Sequence, residues 1–150
     1  MLDIFVDADG CPVKQEVYGV AMRYGLKVIV VANSRMRTPQ EGRIELVVVE
    51  GKFDAADDWI VEHVRENDIV ISGDIPLAAR SLDKGALVLG PAGRVFTKDS
   101  IGEALATREI LSHLRELGTI TGGPAPFDKR ARSRFLQRLD QMIQAVRNGR

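Results

Sequence analysis

Residues 2–14 read Leu2-Asp3-Ile4-Phe5-Val6-Asp7-Ala8-Asp9-Gly10-Cys11-Pro12-Val13-Lys14. The apolar run from Leu2 to Val6 predicts a short buried strand that ends at an acid. Pro12 then opens a helix, because its fixed φ suits the first turn and no N–H is needed there. Val13, Val17, Val20 and Ala21 recur at helical spacing as far as about Tyr24, and Gly25 stops the run. Strand, acidic turn and helix follow one another without a spare residue, which is how a β-α unit begins.

The same order repeats outward. Residues 26–32 and 44–49 predict a second and a third strand. Gly51 breaks the third, and Asp54 stands where it can cap a helix carrying Ala55, Ile60, Val61 and Val64. Residues 68–72 predict a fourth strand, Pro76 to about Leu82 a short helix, residues 86–89 a fifth strand and residues 95–97 a brief extension. From Ile101 the pattern turns helical. Ile101, Leu105, Ile110, Leu111, Leu114 and Leu117 make one apolar stripe, and Phe135, Leu136, Leu139, Met142, Ile143 and Val146 make another. A Gly/Pro-rich loop, residues 121–126, joins the two. Phe53 and Trp59 are expected in the core. The fold class is therefore α/β: a largely parallel central sheet of about five strands, helices on both faces and two C-terminal helices, in one domain over residues 1–150.

Composition narrows the function. The 21 basic and 21 acidic side chains give a formal net charge of zero, so no global field draws the chain to nucleic acid or membrane. The single cysteine, Cys11, excludes an internal disulfide and fits a reducing compartment. The N-terminus has no basic region ahead of an apolar run, and no apolar run could span a bilayer. The expected location is the cytoplasm, away from membranes.

In a parallel sheet, ligands bind outside the carboxyl ends of the strands. Asp7 and Asp9 follow the first strand, Asp74 follows the fourth, and Asp54, Asp57 and Asp58 open the central helix. Carboxylates gathered at one edge repel one another, and an oxygen-preferring divalent ion relieves that repulsion. Mg2+ or Mn2+ suits such ligands. His63 and His113 lie within helices, out of any ligand spacing with Cys11, which disfavours zinc. Each acid also has a simpler use: Asp54 as a cap, Asp57 and Asp58 at a positive helix terminus, Asp74 in a turn. Asn33 stands at the end of the second strand and could orient a ligand. Arg35 and Arg37 follow it, and Lys129, Arg130, Arg132 and Arg134 put four cations in six residues. Arginine forks suit phosphate oxygens, though the same residues are ordinary on a solvated helix. Cys11 has no histidine placed as its base, so a small half-buried side chain is expected there.

Several motifs carry a family resemblance: Asp7-Ala8-Asp9-Gly10-Cys11-Pro12-Val13-Lys14, Val31-Ala32-Asn33, the stretch from Gly51 to Ile60, Gly73-Asp74-Ile75-Pro76-Leu77-Ala78, the stretch from Gly122 to Phe127, and Arg132-Ser133-Arg134-Phe135. Together they resemble the YaiI/YqxD family of uncharacterised bacterial proteins over nearly the whole chain. That family in turn resembles the PIN-like superfamily of metal-dependent nucleases. The resemblance implies catalytic acids at Asp7, at Asp57 (or Asp54 or Asp58 beside it) and at Asp74, and it departs at Ala131, where an acid is expected. It implies a Mg2+- or Mn2+-dependent nuclease acting on RNA or single-stranded nucleic acid. Asn33, Arg35, Arg37, Lys129, Arg130, Arg132 and Arg134 would hold the substrate. A rival reading takes Asp7 as nucleophile and Asp9 as general acid of a haloacid dehalogenase-type phosphatase, but Ala78 and Ala79 fill the stretch where that superfamily's second acid is expected. A non-catalytic domain binding RNA or protein is the third.

Overall fold

A computed structural model describes residues 2–9, 11–51, 54–118 and 127–149. Strand β1 (Asp3–Asp7) carries Ile4, Phe5 and Val6, all buried, so the strand is covered on both faces and shows no apolar–polar alternation. Helix α1 (Lys14–Tyr24) ends at Gly25, whose φ of 68° is left-handed and returns the chain to the sheet. Strand β2 (Lys27–Ala32) pairs in parallel with β1, and β3 (Arg43–Val48) pairs in parallel with β2. After helix α2 (Ala55–His63) the chain crosses to the far side of β1. There β4 (Ile69–Ile71) lies parallel to it, with Val6 opposite Ile71. Helix α3 (Ile75–Asp83), the parallel strand β5 (Leu87–Leu89) and the antiparallel strand β6 (Val95–Phe96) follow. Helices α4 (Lys98–Glu116) and α5 (Lys129–Arg147) end the chain. The sheet order is β3-β2-β1-β4-β5-β6.

The two faces of the sheet bury two cores. On one, Ile4, Val6, Val28 and Val30 meet Val17 and Tyr18 of α1 and Phe135, Leu139 and Ile143 of α5. On the other, Phe5, Val31, Val70 and Val88 meet Ile60 of α2, Leu77 and Ala78 of α3, and Phe96. Gly93 lets the β5–β6 turn approach α5. Its φ is 91°, and a Cβ there would stand 2.9 Å from the Arg134 carbonyl carbon. The α/β class, the helices on both faces and the two C-terminal helices agree with the sequence.

Three details go beyond the sequence reading. The extension at residues 95–97 is a true strand, making six strands rather than about five. Strand β3 is only half covered, because it lies at the sheet edge and pairs on one side. The stripe on α4 is only partly covered: Ile101, Leu105, Leu111 and Leu114 are half-buried beside the buried Ala104, while Ile110 and Leu117 are 60% and 64% exposed. Trp59 is partly buried, stacked on His63 with ring centroids 3.8 Å apart, whereas Phe53 and the Gly/Pro loop lie outside the described residues. Among the described residues no helix is long and apolar enough to cross a membrane.

Candidate functional site

The chain reverses its direction of travel across the sheet between β1 and β4, and a crevice opens beyond their carboxyl ends, as this topology requires. Asp7 ends β1. The register sets Ser72 beside it, and the buried Ser72 hydroxyl donates to Asp7 Oδ2 at 2.9 Å. Ser72 Oγ itself accepts the Asp74 backbone N–H at 3.0 Å. Asp74 Oδ1 in turn accepts the Leu77 N–H at 2.9 Å, so Asp74 caps α3 and is held at the crevice by its own helix. Across the opening, Asn33 donates to Asp9 Oδ2 at 2.8 Å.

Two hollows share Asp7, Asp9 and Asp74 as their common wall. One, of about 250 Å³, reaches Cys11, Ser72 and Pro91. The other, of about 230 Å³, reaches Asn33 and Asp57. Burial raises the Asp7 carboxyl above its ordinary value against the Ser72 hydrogen bond, and the charges of Asp74 and Asp9 push it further. Burial likewise pushes Asp57 up to about 6, helped by the charges of Asp74 and Asp7 and opposed by Arg80. Carboxylates from β1, α2 and the β4–α3 turn thus feel one another.

The central helix separates its three acids. Ala56 and Ile60 face the core, which turns Asp57 into the crevice. Asp58 is turned aside and pairs with Arg80 at 2.9 Å. Asp54 sits at the helix N-cap without a side-chain cap bond and is exposed, outside both hollows. The cations are further off. Arg35 and Arg37 are exposed in the β2–β3 connection, and Lys129 and Arg130 are exposed at the start of α5. Arg132 pairs with Glu16 at 3.0 Å, and Arg134 Nε donates to the Ala92 carbonyl at 3.3 Å. None of these six lines either acidic hollow. Ala131 is buried, and its N–H is capped by Asp128 at 2.8 Å, so the position expected to be acidic serves helix packing. Cys11 is buried at the crevice wall, and burial pushes its thiol up, which leaves it protonated and a poor nucleophile.

Sequence reasoning missed Ser72. A serine at a strand end signals nothing until the pairing of the first and fourth strands is known. Among the described residues no three His, Cys, Asp or Glu side chains bring their donors close enough to hold an ion directly. The chemistry of the donors still fits Mg2+ or Mn2+: Asp7, Asp9, Asp57, Asp74 and the Ser72 hydroxyl are all hard oxygens, and Mg2+ commonly keeps several of its waters.

A model of the "Uncharacterized BCR, YaiI/YqxD family" matches residues 5–145 of this chain. A "UPF0178 protein" of Rhodospirillum centenum is 58% identical over 154 aligned positions, covering 100% of both chains. A "UPF0178 protein" of Brucella ovis is 55% identical over 141 positions, covering 93% of this chain and 88% of its own. One of Brucella abortus is 54% identical over the same span and shares. No solved structure matches the chain.

Proposed function

The chain belongs to the YaiI/YqxD family of uncharacterised bacterial proteins, and on that premise we propose that it is a cytoplasmic Mg2+- or Mn2+-dependent nuclease acting on RNA or single-stranded nucleic acid. One observation carries the reading: Asp7, Asp57 and Asp74, from three separate elements, line one crevice at the switch point of a parallel sheet. Asp7 and Asp74 would hold the ion, with Asp9 on the opposite lip and Asp57 completing the site or orienting a water. Bound there, the ion would activate water and steady charge on a phosphate. Ser72 fixes the Asp7 carboxylate and ties it to the Asp74 backbone, so the two keep one spacing. Asp57, with its carboxyl near 6, is the group most able to take a proton from water near neutral pH.

The test is metal-dependent melting together with cleavage. Mg2+ or Mn2+ should raise the Tm, because an ion that binds only the native state stabilises it by mass action. Mn2+ should also support cleavage of a single-stranded RNA. The Asp7→Asn/Asp74→Asn variant should lose both responses while staying folded, since asparagine still caps α3. A variant whose Tm still responds to the ion like the parent's would refute the metal site, and a parent that leaves RNA intact would refute the nuclease.

A further inference from the structure

The acidic crevice has a neighbour past Asp74. Gly73 lines its wall and also lines a larger hollow of about 460 Å³ that runs between the start of α3, the β5–β6 turn and α4. Two arginines that the sequence did not single out stand in this hollow, Arg94 and Arg108. Arg94 is held by the Phe96 ring, its guanidinium 5.0 Å from the ring centre. Arg108 comes from the exposed middle of α4. Among the described residues neither pairs with an acid. Glu103 shares the hollow and works against an anion there, while Leu111 gives the groove an apolar wall.

We propose that this groove carries a single-stranded polynucleotide away from the acidic crevice, with Arg94 and Arg108 on backbone phosphates beyond the scissile one. The proposal rests on the nuclease reading and names where its substrate lies. Among the described residues, no lysine or arginine lines the acidic hollows, so a polyanion seated there needs cations close by. The groove supplies two, adjoining the crevice at Gly73, as guanidinium forks suited to phosphate oxygens. The junction at Gly73 is uncrowded: even a Cβ there would meet only Pro91 Cδ, at 3.6 Å, an ordinary contact. The apolar wall favours an unpaired strand, whose base faces are free to lie on it, over a duplex that hides them.

The test compares binding of a uridine dinucleotide and a uridine octanucleotide by anisotropy, in chelator, across a salt series. Arg94→Gln/Arg108→Gln should bind the octanucleotide roughly tenfold more weakly, with a salt slope reduced by about 1.4, while the dinucleotide is unaffected. Arg94→Lys/Arg108→Lys should keep the parental slope. A parent that neither binds the octanucleotide nor cleaves it with Mn2+ overturns the nuclease reading and this proposal together. A parent that cleaves, beside a Gln variant with parental affinity and slope, overturns the groove alone. Equal loss for both lengths, or a Lys variant as weak as the Gln variant, also overturns it, because the arginines would then act through packing.

Discussion

Ser72 has one hydroxyl proton, and the Asp74 N–H already points at its oxygen, so that proton can go only toward Asp7. A carboxylate given one directed donor and little water is held in place but left poorly stabilised, and the neighbouring acids add to the strain. Asp57 shows the consequence for stability. Its carboxyl is raised to about 6 in the fold, so between its ordinary value and about 6 the native state holds more protons than the unfolded chain. Stability is then fully present below the ordinary value and is lost as pH rises through about 6. In chelator, Asp57→Asn should melt above the parent at pH 7, and the gap should shrink steadily toward pH 4. A gap that stays constant over that range would remove the coupling. Asp7 was legible in the sequence because an acid closing an apolar run is a strand-end signal, and Asp74 because it stands just past the fourth run, in Ser72-Gly73-Asp74. The choice among Asp54, Asp57 and Asp58 was not legible, because it depends on which side of a helix two small apolar residues, Ala56 and Ile60, press into the sheet.

Helix α5 reads the same way in sequence and in space: Phe135, Leu139 and Ile143 recur every four residues and all three are fully buried. Its cations stand apart from the acidic hollows. Arg132 reaches across to Glu16 of α1, a side chain only 12% exposed whose second oxygen is buried and, among the described residues, without a partner. Arg132→Ala should therefore cost about 1 kcal/mol in urea unfolding, between a surface pair and a buried carboxylate left unmet. Arg130→Ala, at an exposed site, should change stability by no more than about 0.5 kcal/mol. Equal effects would show that the Glu16 contact carries no weight. Helix α4 shows the opposite case. Its periodicity announced a helix, but only tertiary packing decides how well the apolar side is covered, and here Leu111 and Leu114 are only partly covered and Ile110 is exposed.

At the scale of the molecule, alternating strands and helices made a parallel sheet legible, since continuous apolar strands must be covered on both faces. Strand order was not legible, because β1 pairs with β4 across more than sixty residues and no local signal marks the partner. The two cores are held by residues from both ends of the chain. Phe135→Ala, at a fully buried ring between α5 and the sheet, should destabilise by about 3–5 kcal/mol, whereas Ile110→Ser should stay within about 0.5 kcal/mol. Similar losses in chemical denaturation would mean that α4 is covered more fully than its exposure indicates. The central position of β1 also has a consequence in time. Of these six strands it leaves the ribosome first, yet its second neighbour is encoded only at residues 69–71. Until those residues emerge, a nascent chain can assemble β1 with β2 and β3 but must carry Ile4, Phe5 and Val6 on an open edge. Translation that stalls after α2 therefore leaves a fragment with an unpaired apolar strand, the kind of product that aggregates or is taken up by chaperones.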